Sequence, residues 1–290
     1  MNAAKRTAAA TEAAQFLIDL GIDRREMGLK AKLLVLGFAA QNGLITEPES
    51  KILLGRAGML KRYSRQGYLK QFALPPGLKS APHFPHLHYY HLTEKGMMLV
   101  SMHMPHLSRY GNLELKQRTY LHDFIGRIEA AWRIRVCEIN SYLPESRLLE
   151  RGEANKKRHD GHFVLLDGIR VGLEVEAADW KSGDKLAQFL AQCLNSITTN
   201  QVQQVLILVQ TDKALQHYTA PFLAGQIYYP QWIKESGRWW PRKMSKTIIS
   251  PELSAKVNVE LIRSEWWIKD KVTLGRGYYM PIDEDEEEID

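Results

Sequence analysis

This sequence is poor in cysteine, in long apolar runs and in glycine-rich stretches. Its 290 residues include two cysteines, Cys137 and Cys193, far apart in the chain. A disulfide framework and a cysteine-based zinc site are therefore not expected. The longest apolar runs, residues 33–36 and 205–209, are far too short to span a bilayer. Residues 1–19 lack the continuous apolar centre of a secretory signal. A cytoplasmic protein without membrane insertion is the expectation. Without glycine-rich runs, neither a phosphate loop nor a dinucleotide fingerprint has support, and nothing suggests Ser-His-Asp catalysis. What is present suits a folded chain of about two domains: 44% hydrophobic and 25% charged residues.

The net charge of +6 conceals an uneven distribution. Residues 283–290 hold seven acids and no base. Without them, 39 basic residues face 26 acidic ones, a body of +13. Residues 1–110 alone carry 15 basic and 7 acidic residues. Clustered cations concentrate polyanions and release counterions on binding them, which points to nucleic acid. A solvated basic surface is the plain alternative.

Apolar spacing predicts a buried helix over 29–42, ended by Gly43. Thr46-Glu-Pro-Glu49 reads as a helix start: Thr46 as cap, Pro48 in the first turn, Glu49 three residues after the cap. That helix reaches about Leu54, where Gly55 breaks it. A third helix is expected over about 56–66, with Met59, Leu60 and Tyr63 at core spacing and Lys61, Arg62 and Arg65 outside. Residues 67–74 and 88–93 alternate like strands around a proline-rich loop at 75–85, and a further helix opens at Glu94. Three helices followed by a two-stranded ribbon is the winged helix-turn-helix order. The return strand Tyr90-His-Leu-Thr-Glu-Lys-Gly96 resembles the Y-x-L-T-x-x-G ending of winged-helix proteins. Such a short basic helix suits the major groove, so Arg56, Lys61, Arg62, Arg65 and Lys70 are the candidate DNA contacts. A winged helix used only for protein contacts is the alternative.

Six of the ten histidines fall between His83 and His106. The spacing of His83, His86, His88 and His91 is compatible with a metal, but strand alternation separates His88 from His91, so a loop role is preferred. Residues 107–113 read as a linker. A long helix over about 113–133 presents Leu121, Phe124, Ile125, Ile128 and Trp132 on one face. Strands are then expected at 134–139, 159–166 and 170–177, the last two joined by a tight turn at Asp167-Gly168. A helix over 184–197 and an apolar strand over 202–210 complete a β-α-β crossover. A helix is expected at 218–223 and further strands at 257–263 and 265–274.

The candidate chemistry lies between Asp160 and Lys185. Asp160 enters one hairpin strand, and Glu174 and Glu176 share a face of the next. Three convergent carboxylates suit Mg2+ or Mn2+, which prefer oxygen ligands and can activate a nucleophile or neutralise phosphate charge. A solvated strand face bearing ordinary carboxylates is the alternative. His122 and Glu129, seven apart on the long helix, could add a contact.

The Asp, the Glu-x-Glu and the helix and strand that follow resemble PD-(D/E)xK nucleases. Joined to a winged helix, they resemble the replication-relaxation proteins and the MOBC plasmid relaxases, including the MobC mobilisation proteins. The resemblance covers about residues 29–225. It implies an α+β chain: a winged-helix domain at 1–108 and a restriction-endonuclease-like mixed sheet flanked by helices at 109–282. The acidic run at 283–290 is expected to be a disordered tail. The resemblance further implies metal-dependent nicking at a plasmid transfer origin. A conjugative coupling protein and a relaxosome accessory protein are the implied partners. His159-Asp160 stands for the usual Pro-Asp, and Glu176 replaces the usual lysine. A lysine from the next helix must then serve, Lys185 being preferred to Lys181. A covalent relaxase intermediate needs a tyrosine, and Tyr218, Tyr228, Tyr229, Tyr278 and Tyr279 remain open. Trp239-Trp240 and Trp266-Trp267 are candidate base-stacking residues, with packing as the alternative. A non-catalytic DNA-binding protein is the competing function.

Overall fold

The computed structural model describes residues 24–73, 88–113, 120–150, 159–176 and 181–262. His83 and His86, the tyrosines Tyr278 and Tyr279, the pair Trp266-Trp267, the strand expected at 265–274 and the acidic run at 283–290 lie outside them. The fold is mixed α/β, in two compact units: of the described residues, 24–73 and 88–112 belong to the first and those from Leu113 to Ile262 to the second. Among the described residues no helix is long and apolar enough to cross a membrane.

The first unit runs α1 (Arg24–Asn42), β1 (Ile45–Thr46), α2 (Glu47–Leu54), α3 (Met59–Arg65), β2 (Leu69–Ala73), β3 (His88–Leu92) and α4 (Glu94–His103). Its antiparallel sheet has the order β1-β3-β2. Local chemistry sets the boundaries. Gly43, at φ 74°, turns the chain out of α1. Thr46 precedes α2, and the Glu49 side chain reaches back to accept from its backbone N–H. Gly55 ends α2 in the left-handed conformation. Gly58, also left-handed, delays α3 to Met59, so Arg56 stands in the α2–α3 loop and not on the helix.

The Tyr90–Gly96 signature has a packing cause. Tyr90 and Leu92 are buried, and Thr93 caps α4 by accepting from the Gly96 N–H at 3.1 Å. A Cβ at Gly96 would collide with the Tyr68 backbone carbonyl and the Leu92 side chain. Gly96→Ala is expected to destabilise this unit by about 1–3 kcal/mol, the cost of overpacking against a backbone that cannot yield. Urea denaturation read by circular dichroism measures it; an unchanged midpoint would show that α4 shifts freely.

The second unit runs α5 (Tyr120–Arg135), β4 (Ile139–Pro144), α6 (Glu145–Glu150), β5 (Gly161–Leu165), β6 (Arg170–Glu176), α7 (Gly183–Thr198), β7 (Gln204–Val209) and α8 (Asp212–Thr219). Short strands β8 (Ile227–Tyr228), β9 (Trp232–Glu235), β10 (Arg238–Pro241) and β11 (Thr247–Ile248) follow, then α9 (Pro251–Ser254) and β12 (Val257–Leu261). The main sheet has the order β12-β7-β6-β5-β4. Strands β4, β5 and β6 form an antiparallel meander, and β7 and β12 add in parallel. The expected β-α-β crossover is therefore present, with β6 central. The β5–β6 turn is closed by Asp167, whose carboxylate accepts from the Ile169 N–H, and by Gly168 at φ 87°.

One expected strand is displaced. Residues 134–139 do not form it; α5 continues to Arg135 and β4 starts at Ile139. Cys137, at φ 58°, ends the helix while the Glu138 N–H bonds the Arg133 carbonyl and the Cys137 N–H bonds that of Ile134. This is a helix-terminating motif in which Cys137 takes a position usually given to glycine. The helix expected at 218–223 is instead α8, which begins at Asp212, followed by a short 3-10 turn, Ala220–Phe222.

The sheet is covered on two faces. Gly126 of α5 lies against Tyr142 and Leu173 on one. On the other, Phe189, Leu190, Cys193, Leu194 and Ile197 of α7 pack on Val205, Ile207 and Val209 of β7.

Candidate functional site

Sheet register decides where the acids point. Gly172, Glu174 and Glu176 of β6 lie beside Val205, Ile207 and Val209 of β7. Residues paired in register share a face, so both glutamates lie on the face covered by α7. They are 5% and 9% exposed. The alternative of a solvated strand face therefore fails for Glu174 and Glu176. Ionised carboxylates at such depth must be paired or hydrogen-bonded.

Each has a built partner. His159, fully buried, places Nδ1 2.6 Å from Glu174 Oε1. Its ring sits over Gly172, where a Cβ would fall 2.7 Å from His159 Cε1. Glycine is required there because the imidazole occupies the side-chain space. Glu176 receives the Lys181 ammonium on Oε1 and the Tyr218 hydroxyl, at 2.8 Å, on Oε2. The Lys181 backbone N–H donates to the Tyr218 hydroxyl oxygen at 3.0 Å. Nε2 of His217 stands 2.8 Å from the Lys181 carbonyl, donating to it. Lys181 is thus clamped by α8 through both halves of its main chain. Burial pushes the Tyr218 phenol well above its ordinary range, the Lys181 N–H pulls it down and the Glu176 charge adds to the rise.

Asp160 sits in the bend before β5 and faces elsewhere. Its Oδ2 accepts from the Val175 N–H at 2.7 Å, extending the ladder past the end of β5. Its Oδ1 is 3.4 Å from His122 Nδ1 on α5. Burial opposes the charge on His122, but the Asp160 carboxylate outweighs it, with help from Glu176, and its pKa rises. Glu129, also on α5, is buried and ion-paired with Arg133 at 3.8 Å.

The structure thus brings Lys181, not the preferred Lys185, to Glu176. Lys185 is exposed in the first turn of α7. Lys181 lies in the connection and folds back, because α8 holds its peptide. Tyr218 is fully buried and occupied as a partner of Glu176, so it is not presented as a nucleophile. Tyr228 is buried as well, and burial raises its pKa. Tyr229 is half-buried.

Oxygen donors suit Mg2+ or Mn2+, but these donors are turned apart, each towards its own protein partner. Among the described residues no three His, Cys, Asp or Glu side chains form a group that could hold a metal ion. The arrangement as it stands does not fit one.

No family model, curated protein or solved structure matches this chain.

Two residues of the site have a role that the sequence pattern does not announce. His159 is the buried companion of Glu174, although the pattern marks it only as a substitute for proline. Tyr218 is the buried companion of Glu176, 42 residues away. Only the adjacency of His217-Tyr218 to the apolar β7 hints at this.

Asp123 on α5 adds a pH-dependent element. Burial raises its carboxyl from 3.8 to about 6; Arg127 opposes the rise, while Glu145 and Asp160 add to it. Its Oδ1 has no hydrogen-bond partner among the described residues. A folded pKa above the unfolded one means that folding takes up a proton between these values. The stability this group contributes is full below about pH 4 and lost as pH rises to about 6. Asp123→Asn should therefore gain stability relative to wild type across that window, by up to about 3 kcal/mol. Urea melts at pH 4, 5 and 7 measure the difference; parallel curves would mean that Asp123 titrates normally.

In the first unit, α3 buries Met59, Leu60 and Tyr63 and exposes Lys61, Arg62 and Arg65. Arg56 and Lys70 are exposed too. The Lys95 ammonium donates to the Gln66 carbonyl at 2.8 Å, capping the turn after α3. His88 is exposed, while the His91 ring packs 4.9 Å from Phe72 and 5.1 Å from Tyr89, a packing role.

Proposed function

We propose that this chain is a DNA-nicking protein of plasmid mobilisation, cytoplasmic, with a winged-helix unit that seats it on duplex DNA and a nuclease-like unit that acts on one strand. The helix order and the β1-β3-β2 sheet of the first unit support the winged-helix reading. The second unit's sequence of α5, three antiparallel strands, α7 and a parallel strand supports the PD-(D/E)xK reading. One observation carries the assignment: Glu176 holds the Lys181 ammonium at the carboxyl end of the central strand, where open α/β sheets bind ligands, with Glu174 two residues before it on the same face. Glutamate is almost never fully buried unless it is paired, and here two lie two residues apart on one face of the central strand.

Lys181 is the cation placed to meet a phosphate, and Tyr218 and His217 fix its position. Dependence on Mg2+ or Mn2+, a transfer origin as target, and a coupling protein and accessory protein as partners come from the family resemblance.

The second reading is a non-catalytic DNA-binding protein, a relaxosome accessory or a replication or transcription regulator. Its support is that Glu174 and Glu176 are both occupied by internal partners. One experiment separates the two. Supercoiled origin plasmid is incubated with the protein in Mg2+, Mn2+ or EDTA, and the products are run with and without protease. Nicking lost in EDTA supports the first reading; tight, salt-sensitive binding without cleavage in any condition supports the second.

A further inference from the structure

The hairpin of β9 and β10 belongs to neither the main sheet nor the carboxylate site. Its strands pair from Trp232↔Pro241 to Glu235↔Arg238, through the two-residue turn Ser236-Gly237, both at positive φ. Its root is anchored. The Trp232 indole donates to the Tyr229 carbonyl at 2.8 Å and packs on the α7 core, and Asn195 of α7 donates to the Pro230 carbonyl at 2.7 Å.

Its outer part is different. Trp239 and Trp240 are each 46% exposed. Successive strand residues point to opposite faces, so the ribbon carries one indole on each side. Lys234, Arg238, Lys243 and Lys246 are exposed around them, and Glu235 is the sole acid from 231 to 246. Each of the two indoles offers water a flat apolar surface that the fold leaves uncovered. The excess of lysine argues against a protein partner, because lysine is depleted from protein interfaces. Indoles flanked by cations match the demands of an unpaired nucleic-acid strand: flat surfaces for the bases and charge for the phosphates.

We propose that the β9–β10 ribbon binds single-stranded DNA, with Trp239 and Trp240 stacking on bases and Lys234, Arg238, Lys243 and Lys246 holding phosphates. The choice of DNA over RNA rests on the DNA-directed reading above; strand cleavage is not required.

The test uses the full chain in EDTA, so that binding alone is read and a failure of nicking leaves the result intact. A fluorescein-labelled oligothymidylate of about 20 nucleotides is titrated by anisotropy, beside the matching blunt duplex. The W239A/W240A variant should lose about tenfold to a hundredfold in affinity for the single strand while its duplex affinity holds. The W239F/W240F variant, which keeps a flat ring at each position, should retain most of the binding and shows that the ribbon still folds. Unchanged single-strand affinity of the alanine variant would overturn the proposal. So would equal losses on single strand and duplex, or loss in the phenylalanine variant as well. Tighter binding of oligouridylate than of oligothymidylate would overturn the choice of DNA.

Discussion

Supercoiled origin plasmid is expected to stay intact with a Glu176→Gln protein, its nicking slowed by at least about a hundredfold. Glutamine keeps the shape of Glu176 and can still accept from the Tyr218 hydroxyl. It removes the charge that holds the Lys181 ammonium on the central strand. The fold should therefore survive while the electrostatics of the site do not. Lys181→Met should behave like Glu176→Gln, since α8 still clamps its main chain. Lys185→Met should nick at the wild-type rate, because that side chain is exposed and away from Glu176. Conversion of supercoiled to open-circular plasmid, timed on a gel, gives all three rates. Full activity of Glu176→Gln would sink the nuclease assignment. A silent Lys181→Met beside an inactive Lys185→Met would restore Lys185 as the working lysine.

Duplex binding should respond to a different set of residues. The K61A/R62A/R65A protein is expected to lose about a hundredfold in duplex affinity at moderate salt. Its plot of log affinity against log salt should flatten by about 0.9 for each phosphate no longer neutralised. The three side chains are exposed on α3, while Met59, Leu60 and Tyr63 hold the helix in place. Stability should thus change by no more than about 0.5 kcal/mol per site. Lys51→Ala, at an exposed position of α2, is the control for general charge loss. An unchanged salt slope in the triple variant would exclude α3 as the DNA-contacting helix. Nicking by the triple variant at high protein concentration would show that seating and cleavage are separable.

Much of the first unit was legible because its signals are local. Thr46 and Glu49 are three residues apart, and Gly43 and Gly55 each meet a conformational demand of the turn they stand in. Asp167-Gly168 announced the β5–β6 hairpin for the same reason. The strand expected at 134–139 failed because Ile134, Val136 and Ile139 suit either period. What decides between them is Cys137 in a left-handed conformation, which the residue type does not announce. Helix α6 and the strands β8 to β11 span two to six residues each, below the length at which periodicity can be read.

The candidate site divides in the same way. The spacing of Asp160, Glu174 and Glu176 on a hairpin is a property of the chain, and so is the basic outer face of α3. Their companions are not. His159 meets Glu174 across 15 residues and Tyr218 meets Glu176 across 42, pairings that exist only once β5, β6 and β7 pair in register and α8 packs beside them. The same assembly turned Asp160 towards His122 and chose Lys181 over Lys185. By itself the sequence determined the scarcity of cysteine, the basic body, the helix caps, the turns and which acids share a strand face, since each rests on composition or on interactions within a few residues. The tertiary structure decided whether those acids are buried, what neutralises them, and that Trp239 and Trp240 stand exposed. Burial and pairing depend on which distant segments come to lie against each other.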